Sequence, residues 1–189
     1  MNIQQTIDFI DQELTQTLEQ YQPWFASTPE VLHFKPQVGW SIEQILEHVT
    51  LTNHFLLILI RKGQRKALEL AAKKDVNERL ASYELDLNKL DAIAQHQSFE
   101  WIRPEHMEPQ GNQELHKIQT LLGDQIAECQ KLLQEMSHGE GILYQTTMTV
   151  NGLGKLDVYQ YIYFLCQHAK RHLVQMEKVK SEYKQSSRI

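Results

Sequence analysis

The sequence predicts an all-α protein, a four-helix bundle with an extra short helix and a small β-hairpin in its connecting loops. Three observations carry that expectation. Apolar residues recur at spacings of three and four along four long stretches, as they do in helices that bury one face. Two of these stretches open with a hydrophobic residue, a capping oxygen and a glutamine three positions on, the pattern of a capped helix start. One short segment alternates around Asn-Gly and reads as a hairpin.

Taken in order, the first helix is read from Ile3, Ile7, Ile10 and Leu14, with Leu18 and Tyr21 extending the seam. The second follows Ile42, Ile45, Val49, Thr52, Leu56 and Leu59. Its start is written by Trp40, Ser41 and Gln44: an indole placed to pack back on Ile45, a hydroxyl to cap the helix, and a glutamine to return the bond. A shorter helix is expected over Val76, Leu80, Tyr83, Leu87, Leu90 and Ala94, with Asp75 as its cap and Glu78 as the reciprocal acid. The stretch from Phe99 to Gly111, with Trp101, Pro104 and Pro109, reads as an irregular loop. The third long helix runs through Leu115, Ile118, Leu122, Ile126, Cys129, Leu133 and Met136. Leu143 to Leu156 is the hairpin, with a type I′ turn expected at Asn151-Gly152. The last helix begins at the second capping device, Leu156, Asp157 and Gln160, and continues through Val158, Ile162, Leu165, Ala169, His172, Met176 and Val179. The irregular loop and the hairpin both fall at a bundle end, where they serve either as lids, if that end holds the site, or only as structural plugs.

A chain of 189 residues, 41% of them hydrophobic, suffices for one domain with its own core. That domain is expected over 1–182, with a polar tail, 183–189, that frays. The formal charge of -5 lacks the excess of Lys and Arg that a grip on nucleic acid requires. The local cluster Arg61, Lys62, Arg65, Lys66, Lys73 and Lys74 is followed by acids and reads as a solvated helix face. The first twenty residues carry no basic segment leading into an apolar core, and the longest apolar run, Phe55 to Ile60, is too short for a bilayer. A soluble, cytoplasmic protein with no membrane partner is expected. Cys129 and Cys166 are far apart and form no CxxC, so they suggest packing and not a disulfide or thiolate zinc site. No glycine-rich phosphate loop, GxSxG elbow or HExxH is present, which leaves nucleotide, serine-hydrolase and gluzincin chemistry without support.

The histidines are more informative. His168 and His172 stand four apart on the last helix, which puts two imidazoles on one face about one turn apart. His172 lies on the apolar seam and His168 beside it, three after Leu165; His48 stands in the same relation to its own seam, three after Ile45. Buried imidazoles need partners for both nitrogens, and either a shared cation or separate carbonyls can supply them. Spacing alone leaves both open. His33, His54, His96, His106, His116 and His138 lack partners at useful spacing and read as surface or loop residues.

Phe34, Pro36, Trp40, Ser41, Ile42, Ile45, Leu46, His48 and Val49, together with His168, His172 and Gln175, resemble the pattern of the DinB-like superfamily, also called YfiT-like metalloenzymes, over nearly the whole chain. The resemblance implies an up-down-down-up bundle in which His48, His168 and His172 are the ligands of a divalent metal ion. Zinc or nickel is the leading expectation, with iron and manganese as alternatives. It also implies a homodimer, and relatives that include bacillithiol transferases and mycothiol-dependent maleylpyruvate isomerases. The stretch 61–110 is longer than a minimal core of this family, which sets its substrate and partner surfaces apart.

Three neutral imidazoles leave a divalent ion with an open position, the arrangement of catalytic sites, where a thiol or water becomes a nucleophile near neutral pH. The expected function is therefore a metal-dependent enzyme of the thiol-transferase or hydrolase kind, acting on a small molecule and using a low-molecular-weight thiol in the first case. The alternative is a non-catalytic metal-binding bundle that binds a partner or ligand. Gln175, one turn after His172, and Gln44, one turn before His48, are the candidates for orienting ligands or moving protons, although the cap also claims Gln44. Glu47 adjoins His48 but reads as a surface residue, since neighbours on a helix point about 100° apart.

Overall fold

The computed structural model describes residues 2–83, 86–95 and 104–187. Four long helices carry the core: α1 (Ile3–Phe25), α3 (Ile42–Ala71), α6 (Leu115–Glu135) and α7 (Val158–Ser186). Three short ones, α2 (Pro29–His33), α4 (Val76–Leu80) and α5 (Asn88–Ala94), sit in the connections, and β1 (Gln145–Met148) pairs antiparallel with β2 (Gly154–Asp157).

Both expected capping boxes form. The Ser41 hydroxyl accepts from Gln44 N–H while Gln44 Oε1 accepts from Ser41 N–H, and Asp157 and Gln160 make the same exchange at the start of α7. A third box, Asn2 with Gln5, opens α1. These devices satisfy N–H groups that a helix end otherwise leaves without partners.

Side chains between helices give the topology. Gln119 reaches Gln22 and Gln130 reaches Thr15, so α1 and α6 run antiparallel. Gln125 bonds Thr50 O and Gln64 bonds Glu135, so α3 and α6 run parallel. Val158 abuts Gly63 while His168 and His172 meet His48, so α3 and α7 are antiparallel. The bundle is thus up-down-down-up, with α1 parallel to α7: Phe9 lies on Tyr163, and Tyr21 donates to Ala169 O at 2.8 Å. Among the described residues, no helix is long and apolar enough to cross a membrane.

Four expectations need correcting. The fifth helix is two: α4 ends at Leu80, and Asp86 Oδ1 accepts from Asn88 N–H to start α5, whose Leu90 and Ile93 are buried in the core. Asp75 caps α4 by accepting from Asn77 N–H, not through an exchange with Glu78. In the hairpin, Asn151 and Gly152 both take positive φ, as a type I′ turn requires, but the ladder closes at Met148–Gly154, leaving the pair inside the longer connection 149–153. Leu59 is 40% exposed while Leu57 and Ile60 are buried, because a period of 3.6 carries the buried stripe around the helix. The last helix, α7, continues to Ser186.

Candidate metal centre

The antiparallel packing of α3 on α7 decides where the histidines meet. From the contact of Gly63 with Val158, moving forward along α7 corresponds to moving back along α3, which brings 168–172 abreast of His48. All three rings are buried, and one nitrogen from each lies within 4.8 Å of the other two. His168 Nε2 and His172 Nε2 are 3.1 Å apart. Bonds of about 2.0–2.1 Å to a common ion place two nitrogens roughly 2.9–3.4 Å apart, for octahedral to tetrahedral angles. The observed separation falls inside that range.

The tautomers agree with this reading. His48 Nδ1 donates to Met107 O at 2.7 Å, and His172 Nδ1 donates to Gln175 Oε1 at 2.8 Å. Each bond fixes the proton on Nδ1 and leaves the lone pair on Nε2, at the face shared with the neighbouring rings. Burial holds the His168 pKa well below its ordinary value, and the charges of His172, His48 and Arg171 push the same way. A neutral imidazole is the form that binds a metal. The donor set, the neutral form of His168 and the His168–His172 separation fit a divalent ion.

The histidines form part of the wall of a cleft of about 410 Å³. Thr52, Leu56 and Phe164 line its helical side, with Trp40 from just before α3; Pro104 and Met107 come from the irregular segment, and Met148 to Val150 from the hairpin. Both irregular pieces therefore border the histidine site. The Trp40 indole lies against the His48 ring, with centroids 4.6 Å apart, and so reaches beyond the staple read for it. Of the remaining residues in the motif, Pro36 is buried, and Phe34 packs on Tyr183 to tie the approach to α3 against α7.

Gln175 and Gln44 part company here. Gln175 orients His172, whereas Gln44 Oε1 is occupied by Ser41 N–H and by Lys35 Nζ at 2.7 Å. Gln44 belongs to the cap and does not line the cleft. The surface reading of Glu47 is overturned. Its side chain is 3% exposed and accepts from Gln110 N–H at 3.2 Å and Gly111 N–H at 2.6 Å. The chain at 107–111 folds back over the start of α3, so adjacent residues 47 and 48 both hold it, one by the backbone N–H groups and the other by a carbonyl. Arg171, between the two histidines of α7, also belongs to the site. It is 8% exposed, lines the cleft, and donates through Nη1 to Gln95 O. Its signal in the sequence was a cation three residues after His168 on a helix buried nearly all round.

Of the other histidines, His33, His54, His106, His116 and His138 are exposed, and His96 lies outside the described residues, as does Trp101. Cys129 and Cys166 are buried, and desolvation raises their thiols to about 12 and about 11, so neither is a ready nucleophile.

A family model for the DinB superfamily matches residues 12–176. The chain belongs to the DinB superfamily. The matched span takes in His48, His168, His172 and Gln175, together with the loops that border the cleft. No curated protein and no solved structure matches the chain.

Proposed function

We propose that this DinB-superfamily chain is a metal-dependent transferase in which His48, His168 and His172 hold a divalent ion, zinc or nickel first, and a low-molecular-weight thiol is joined to a small electrophile. The observation that carries the reading is the convergence of three buried imidazoles, two with tautomers set by Met107 O and Gln175, at the wall of a cleft. When bound, the ion supplies Lewis acidity that makes a thiol or water nucleophilic near neutral pH. The protein's own contribution is orientation and dryness. Met107 and Gln175 hold the rings, while Trp40, Leu56 and Phe164 keep water from their flanks. Thiol transfer is favoured over hydrolysis because the described lining of the cleft holds no carboxylate to take a proton from water. A thiol, with an ordinary pKa of about 8.5, needs far less help to ionise.

The test is metal content of protein never exposed to nickel resin, measured beside His48→Ala and His168→Ala. About one ion per chain is expected in the wild type and little in either variant, with folding retained. Metal-loaded wild type should then accelerate the reaction of low-molecular-weight thiols with a chloro-nitrobenzene. No metal, or no thiol-dependent rate above that of His168→Ala, defeats the proposal. Variants that unfold as they lose metal point instead to a structural ion.

A further inference from the structure

We propose that Arg171 is an anion anchor, and that the cleft takes a small amphipathic carboxylate whose apolar body lies between the hairpin and α3. The inference rests on the reading of this cleft as the substrate site, and it concerns what the substrate carries.

Cleft composition is the starting point. Among the described residues that line it, Arg171 is the one permanent cation and no aspartate or glutamate is present. The other polar groups there, Thr52, Thr149, Gln175 and the histidines, are neutral when the rings act as ligands. A divalent ion held by neutral imidazoles adds positive charge to the same enclosed space. Positive charges gathered in a low-dielectric cleft repel one another, and an anion entering it relieves that repulsion. Neutral substrates gain nothing from this arrangement.

The guanidinium is also built in. Its Nη1 donates to Gln95 O at the end of α5, which fixes the side chain, and α5 packs on α7. Holding a long side chain before the ligand arrives lowers the entropy that binding must overcome. A guanidinium is a planar fork of donors that matches the two oxygens of a carboxylate, which a lysine ammonium cannot do. Much of the described lining is apolar: Leu56, Leu59, Met148, Val150 and Phe164 offer a wall for a short chain or a ring. The volume, about 410 Å³, suits a molecule of that size.

Hexanoate and its neutral isostere hexanamide are the probes. Binding to the full-length protein is followed by calorimetry, in metal-free and in zinc-loaded form. In metal-free wild type, hexanoate should bind about tenfold or more tightly than hexanamide, the range for a hydrogen bond to a charged group. Arg171→Gln should abolish that preference without changing zinc affinity by more than a fewfold. Arg171→Lys keeps the charge but not the fork, so part of the preference should survive, and it decides the matter if the glutamine variant does not fold. Equal binding of the two probes in wild type overturns the inference. So does a preference seen only with zinc and untouched by either variant; the ion then does the work and the metal reading stands. Should zinc fail to bind while the Arg171-dependent preference persists, the metal reading fails and the anchor remains.

Discussion

Glu47→Gln tests whether the strap at 107–111 is held by the residue next to a histidine of the site. The Glu47 side chain is almost wholly buried and accepts one N–H on each oxygen, from Gln110 at 3.2 Å and Gly111 at 2.6 Å. A glutamine keeps one oxygen and turns an N–H₂ toward the other donor. One charge-assisted bond becomes neutral, and one strap N–H loses its acceptor. Together these changes cost about 2–3 kcal/mol, offset in part because a buried amide is easier to desolvate than a carboxylate. A net of about 2 kcal/mol corresponds to roughly thirtyfold faster exchange of the Gly111 amide, if exchange proceeds through local opening of the strap. The same opening carries away Met107 O, which orients His48, so zinc affinity should fall by about tenfold, as it does when ligand-orienting bonds are lost elsewhere. Hydrogen exchange read at single residues and competition with a chelator provide the two measurements. A Gly111 amide as protected in the variant as in wild type refutes the clamp. Faster exchange with unaltered zinc affinity refutes the link from clamp to His48.

Two further outcomes follow from the packing around the start of α7. Asp157 is buried, and desolvation raises its carboxyl from 3.8 to about 6 against the opposing bonds from Tyr83 and the helix N–H groups. The folded state therefore holds this proton more tightly than the unfolded chain, so the associated stability is complete below about pH 4 and is lost as pH rises through about 6. The loss is on the order of 3 kcal/mol, and Asp157→Asn, which can keep the cap through its oxygen, should show a correspondingly smaller fall between pH 4 and pH 7 in urea titrations. Parallel pH profiles for the two proteins contradict the assignment. Gly141→Ala would bring a Cβ to 2.6 Å from the Tyr159 ring, which is fully buried and tied by its hydroxyl to Met136 O. The ring has nowhere to retreat, so about 2 kcal/mol and roughly 4–8 °C of melting temperature should be lost. An unchanged melting temperature shows that the contact relaxes freely.

What the sequence determined by itself was local. Periodicity of three and four placed the four long helices, and Ser41–Gln44 and Asp157–Gln160 placed the starts of α3 and α7, because each of these signals lies within one or two turns of chain. The i, i+4 spacing of His168 and His172, with the seam beside them, put both rings on the buried side of α7 for the same reason. Tertiary structure alone decided what stood opposite. Gln44 and Glu47 are both polar residues within a turn of His48; one is taken by the cap, the other by the backbone of Gln110 and Gly111. The cap at Ser41 marks Gln44 locally, but nothing in the local sequence marks Glu47 as buried, since that depends on the path of a loop more than sixty positions away. Likewise, the carbonyl that sets the tautomer of His48 and the placing of Arg171 in the cleft depend on contacts between distant segments. Helical phase says which way a side chain faces, but only the packed chain supplies the group it meets.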